Sequence, residues 1–208
     1  MFICCTRFNN ETYKQNKEWK KRKNWNGCAY GFDTKIPDKI PYDVNIYVIE
    51  MNNSTNKIMG VGMIVNSGTE KKTRIYKKHS YNRYIYKSKF RASRFELLRK
   101  NKKLIEYLEQ RLFYGFHHFK RQYGLTLIPD ERLVVEYKKP VYRCSICGEP
   151  KKNHKCKGVN QKKPYESDKC IYCNKSKKGH VCPYLHKNLN KLNYIHRFFR
   201  RLFTPLNI

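Results

Sequence analysis

The stretches CSICGEPKKNHKC, from Cys144 to Cys156, and CIYCNKSKKGHVC, from Cys170 to Cys182, carry the same spacing twice: C-x2-C-x6-H-x-C. No other feature constrains the chain as tightly. Three thiols and one imidazole per frame form the donor set of a closed tetrahedral Zn²⁺ site. The x2 spacing lets two thiolates chelate from one tight turn, and H-x-C returns the second pair together. Cys144, Cys147, His154 and Cys156 are therefore assigned to one zinc, and Cys170, Cys173, His180 and Cys182 to another. Segments this short cannot order themselves by burial, so metal binding has to supply the folding free energy. A closed Cys3His site also leaves no position for water, which argues against catalysis at these zincs.

The two frames take six of the nine cysteines and leave only Cys4, Cys5 and Cys28. An odd remainder beside paired C-x2-C units fits metal binding in a reducing compartment better than a disulfide scaffold. The formal charge is +30, from 46 Lys and Arg against 16 Asp and Glu. Such an excess repels itself unless a polyanion neutralises it, which points to nucleic acid. Part of the Lys and Tyr content also fits an A/T-rich genome, of the style of large DNA viruses. The sequence has no run of about 18 apolar residues and no secretory leader, so no transmembrane segment is expected and the expected location is intracellular, cytoplasmic or nuclear.

The frames resemble zinc knuckles, the small CCHC modules that grip single-stranded RNA or DNA. They depart from the retroviral type, which has four residues on each side of the histidine. They are closer to a variant reading C-G-x-P-K-K-G-H-x-C. The resemblance implies aromatic rings stacked on bases and lysines on phosphates. Tyr172 and Tyr184 are then the stacking candidates, and Lys151, Lys152, Lys155, Lys177 and Lys178 the phosphate contacts. The alternative is a zinc module that docks protein.

Composition divides the chain into a basic mixed α/β domain (1–142), the tandem metal modules (143–183) and a C-terminal basic amphipathic helix (184–208). FICCTRF predicts a buried strand, and ETYKQNKEWKKRKNW a basic helix broken by Gly27 and Gly31. NIYVIEM and KIMGVGMIV, joined by the turn residues NNSTN, predict a hairpin over 45–66 with Gly60 and Gly62 on one strand face. RIYKK and RYIYKSKF predict short strands with a basic face. Ser93 to Glu96 matches a capping box, so a helix starts there, with Ile105, Leu108, Leu112, Phe116 and Phe119 in one stripe and Gly124 at its end. LTLI and RLVVEY are expected as closing strands. LHKNLNKLNYIHRFFRRLF places Leu189, Leu192 and Phe199 at helical spacing among basic residues; this helix either docks on the main domain or meets phosphate, an acidic partner or a membrane surface.

Trp25 and Gly27 in NWNGCAYGF, followed by Ile58, Gly60 and Gly62 in KIMGVGMIV, resemble the PUA-like class, especially its EVE branch. That resemblance covers the first third of the chain. It implies a small barrel with flanking helices and a cleft that reads RNA or a modified base, with Trp25 and Asn26 as pocket residues. The expected fold class is thus α+β: a small twisted mixed sheet or PUA-like barrel with flanking helices, two zinc knuckles, and a C-terminal basic helix.

The sequence has no G-x4-G-K-[ST], no H-E-x-x-H, no G-x-S-x-G and no D-x-D or E-x-E cluster, so no enzymatic activity is expected. His117 and His118 face different ways on a helix and read as surface or packed histidines. KKRK at Lys20 to Lys23 fits either a nuclear import signal or a solvated helix face. The expected function is non-enzymatic, two-zinc nucleic-acid binding with RNA or single strands preferred. The alternative is a structural component of a viral particle that neutralises nucleic acid or docks acidic coat proteins through its zinc modules.

Overall fold

FICCTRF and NIYVIEMN have little polar surface on either face, so as strands they need cover from both sides. They form β1 (Phe2–Phe8) and β3 (Asn45–Asn52), which pair in parallel from Phe2 opposite Ile46 to Phe8 opposite Asn52. The computed structural model describes residues 1–67, 73–115, 118–134, 144, 183 and 188–203. The remaining elements are α1 (Asn10–Arg22), β2 (Cys28–Phe32), β4 (Lys57–Val65), β5 (Tyr84–Ser88), β6 (Arg91–Ser93), α2 (Arg94–Phe113), β7 (Thr126–Leu127), α3 (Asp130–Val134) and α4 (Leu189–Phe203). The class is α+β, with a mixed five-stranded sheet in the order β6-β4-β3-β1-β7 and a separate antiparallel pair, β2-β5.

Alternation along β1 and β3 sends side chains into two cores. Cys4, Ile46 and Val48 point to one face, where β2, β5 and Trp19 of α1 cover them. Ile3, Cys5, Tyr47 and Ile49 point to the other, against α2, α3 and α4. A sheet covered on both faces explains why these strands lack a polar side.

Helix α1 opens with a capping box in which the Asn9 side chain accepts from Thr12 N at 2.7 Å and Thr12 Oγ1 accepts from Asn9 N at 3.0 Å. It ends at Arg22, before the glycines expected to break it, with Asn24 in the left-handed region at φ 48°. CAYGF, read in the sequence only as an interruption, is strand β2, and it pairs with β5 from Cys28 opposite Ser88 to Phe32 opposite Tyr84. The β3-β4 hairpin is as expected, with a register shift between Glu50 and Met51. RIYKK is not a strand: Asn82 Oδ1 accepts from Ile75 N and Tyr76 N at 2.7 and 2.9 Å, which binds the segment into a turn.

The α2 capping box forms as its sequence indicates, with Ser93 and Glu96 bonded reciprocally. The helix is interrupted at Asn101, whose extended backbone breaks the ladder while its Oδ1 accepts from Leu104 N at 2.9 Å and caps the next segment. It stops at Phe113, ahead of a left-handed Gly115, and not at Gly124. Phe116 of the expected stripe lies outside the described residues, as does His117. Buried Glu109 fastens α2 to β4 by accepting from Ile58 N at 2.8 Å and from Arg94. RLVVEY does not begin as a strand, because Asp130–Val134 is a helical turn (α3). The terminal helix docks on the main domain: Leu192, Ile195 and Phe199 are buried, and Phe199 meets the Tyr47 ring edge-on with centroids 6.0 Å apart. Among the described residues no helix is long and apolar enough to cross a membrane.

Candidate nucleic-acid interface

The basic helix α1 delivers its positive end to a hollow of about 640 Å³. Trp19, on the last turns of α1, is buried and forms its floor. Trp25 forms a wall, its ring held by an indole N–H donated to Cys28 O at 3.0 Å. Gly27 is required beside it, since a Cβ there would stand 1.9 Å from Ser88 O. The W-x-G segment therefore lets the chain press against the end of β5 while Trp25 turns into the hollow.

From β5, Lys87 reaches over both rings, with Nζ 5.1 Å from the Trp25 centroid and 5.8 Å from that of Trp19. These are cation-π distances, so the ammonium is held where aromatic and ionic contacts converge. Arg22, Lys23 and Arg74 complete the lining. No carboxylate among the described residues pairs with these three, although Arg74 donates to Lys77 O at 3.1 Å. An indole wall with several cations around it suits a stacked base flanked by phosphates.

Behind the hollow, a buried polar network sets the distance between α1, β2 and the main sheet. Glu50 continues the β3 stripe of Ile46 and Val48, but its carboxylate takes a bidentate contact from Arg91, Nε to Oε1 at 2.8 Å and Nη2 to Oε2 at 2.6 Å. The Tyr30 hydroxyl donates to the same Oε1 at 3.0 Å. Arg91 also donates to Met59 O at 3.3 Å, at the register shift between β3 and β4. Gly60 and Gly62 make room for this network: a Cβ on Gly60 would meet Arg91 Nη2 at 2.6 Å, and one on Gly62 would meet Tyr30 Oη at 2.2 Å. The G-x-G of KIMGVGMIV is explained by that packing.

Electrostatics follow from burial. Burial works against the Arg91 charge, but the Glu50 carboxylate more than offsets it, and the guanidinium stays charged. Burial, and then the positive Arg91, pull the Lys20 ammonium below its usual range. The Cys28 thiol is pushed up to about 12 by burial and then by Glu50, and Cys5 to about 12 by burial. Cys4 is raised further, so none of the three is a nucleophile at neutral pH.

Of the residues expected to act, Trp25 lines the hollow while Asn26 is exposed beside it and does not. Among the expected zinc ligands only Cys144 is a described residue, and it is partly exposed; Cys147, His154, Cys156, Cys170, Cys173, His180 and Cys182 lie outside the described residues. So do Lys151, Lys152, Lys155, Tyr172, Lys177, Lys178 and Tyr184. Among the described residues no group of three or more His, Cys, Asp or Glu could hold a metal. Sequence reading missed Trp19, Lys87 and Arg74. The available signal was the alternation in YIYKS, which turns Lys87 away from the buried Tyr86, but strand β2, which brings β5 to Trp25, was not legible. Comparisons with protein-family models, with curated proteins and with solved structures found no match for this chain.

Proposed function

We propose that the protein is a zinc-dependent nucleic-acid-binding protein that prefers RNA or single strands to duplex. The observation that carries this reading is the hollow where Trp25, Trp19 and Lys87 meet Arg22, Lys23 and Arg74. A single strand offers unstacked bases to an aromatic wall, whereas a duplex hides them, so the chemistry of this hollow favours the former. The tandem Cys3His frames supply the second element. Their donor sets suit Zn²⁺, and binding two ions to six thiolates removes only two units from a charge of +30. Two weak grips on one chain reinforce each other through effective concentration.

Filter binding to single-stranded RNA, single-stranded DNA and duplex DNA across a salt series tests the reading. Lys87→Ala and Trp25→Ala should each weaken single-strand binding about tenfold, and Lys87→Ala should make the salt dependence shallower by about one ion. Chelation should reduce the preference for single strands. Binding indifferent to strandedness, to chelator and to both substitutions would replace this reading with bulk charge neutralisation by a structural particle protein.

A further inference from the structure

Opposite the tryptophan hollow, at the N-terminal end of α1, lies a second cleft of about 250 Å³. The 13 residues of α1 separate the two by about 20 Å at 1.5 Å per residue. The cleft sits where β1 and β3 run out side by side, between Arg7 on β1, Asn53 just past β3 and Asp33 just past β2.

Its composition differs from that of the hollow. Arg7 is desolvated, which lowers its pKa, and among the described residues its guanidinium donates to Gly124 O and to Cys5 Sγ. Lys120 donates to Asn56 Oδ1 at 2.8 Å. No carboxylate among the described residues lies within ion-pair distance of either cation, although Asp33 lines the same cleft. A cation withdrawn from water without a counterion is an anion site waiting for its anion. Asn53 also lines the cleft, and its Nδ2 donates to Lys120 O at 3.0 Å, which holds the Lys120 backbone beside it. The rings of Tyr81 and Tyr123 also line the space, and Tyr123 is 85% exposed. The α1 N-terminus is not the attraction, because Asn9 already caps it.

Two cations with no described carboxylate at ion-pair distance, one carboxylate acceptor in Asp33 and the exposed Tyr123 ring in one small cleft match a ligand with a phosphate, hydroxyl or ring N–H donors, and a planar ring. We infer that this cleft binds one nucleoside monophosphate unit, its phosphate between Arg7 and Lys120, its hydroxyl or ring donors on Asp33, and its base against Tyr123. The unit is either a free nucleotide or the phosphorylated end of a strand.

Calorimetric titration of the zinc-loaded full chain with AMP, adenosine and inorganic phosphate tests the inference. AMP binds, and adenosine and phosphate alone are each at least about tenfold weaker, since each lacks one set of contacts. Lys120→Gln weakens AMP about tenfold and Tyr123→Ala severalfold. Neither replacement touches the core, so both variants should stay folded. In a Lys87→Ala background, where the tryptophan hollow is weakened, Lys120→Gln still lowers the remaining AMP binding about tenfold, which separates this cleft from the hollow. Displacement of AMP by a 5′-phosphorylated oligonucleotide but not by its 5′-hydroxyl form identifies the strand end; displacement by neither identifies the free nucleotide. AMP binding no tighter than that of adenosine, or unaffected by both Lys120→Gln and Tyr123→Ala, overturns the inference. Strand binding that still responds to Lys87→Ala would then leave the proposed function standing.

Discussion

Replacing Glu50 by Gln tests the physical account of the network beneath the hollow. The substitution is nearly isosteric, yet it turns one of two oxygens facing Arg91 into an N–H donor opposite a guanidinium that has only donors. The Glu50 side chain is 4% exposed and that of Arg91 12%, so water cannot replace the lost carboxylate. The positive Lys20 close by adds repulsion that Glu50 now offsets. Removing one member of a buried pair costs about 3–5 kcal/mol. For a chain of this length each kcal/mol shifts the melting temperature by about 2–4 °C, so Glu50→Gln should melt roughly 6–20 °C lower. The double replacement Glu50→Met with Arg91→Met removes both charges and should recover most of that loss, with a coupling energy above about 2 kcal/mol. Scanning calorimetry in zinc-containing buffer measures the parent, Glu50→Gln, Glu50→Met, Arg91→Met and the double variant. Melting of Glu50→Gln within about 2 °C of the parent, or a double variant less stable than either single one, would refute the assignment of Glu50 and Arg91 as a mutually dependent buried pair.

Gly62→Ala should destabilise by about 1–3 kcal/mol in urea unfolding, because its methyl enters the space held by Tyr30 Oη and the Cys28 side chain. Thiol labelling at pH 8 should leave Cys4, Cys5 and Cys28 unreacted in the folded chain, since burial raises all three; chelation should expose six further thiols to the reagent and no more, counted by mass. The Ser93 hydrogen bonds hold the Glu96 carboxyl below its ordinary range of 4.5. A lowered folded pKa means that this contribution is present above about pH 4.5 and fades as pH falls through the folded value. Glu96→Ala should therefore cost about 1 kcal/mol at pH 7 and progressively less below pH 4.5, followed by urea titrations at each pH.

The elements that announce themselves locally were legible in the sequence: β1, α1, the β3-β4 hairpin, the Ser93 capping box and the apolar stripe of α4. Each rests on a pattern contained within a few turns of helix or one hairpin. The misread elements depend on partners outside the segment itself. CAYGF is a strand because β5, more than fifty residues later, lies beside it. RIYKK is bent by Asn82, whose side chain competes for backbone N–H groups that a strand would have used. Asp130–Val134 turns helical despite the β-branched Val134, because Leu133 and Val134 are buried with α2 and α4. In each case tertiary contacts outweighed a local preference worth only tenths of a kcal/mol per residue.

Trp25 was visible as a binding candidate, but its partners were not. Period-two alternation can say that Lys87 leaves the core; it cannot say that Lys87 arrives over an indole sixty-two residues away. Gly60 and Gly62 were likewise visible as a pair, while the reason for them, a carboxylate, a guanidinium and a phenol meeting across three strands, exists only once the sheets are stacked. The amino-acid sequence by itself determined the two Cys3His frames, proposed as zinc donor sets, and the charge, because spacing within one loop and a sum of ionised groups need no fold. The assembly of two tryptophans and four cations into one hollow, and of Arg7, Lys120 and Asn53 into the other, was decided by tertiary structure alone, because those groups are far apart along the chain and only strand pairing and helix packing make them neighbours.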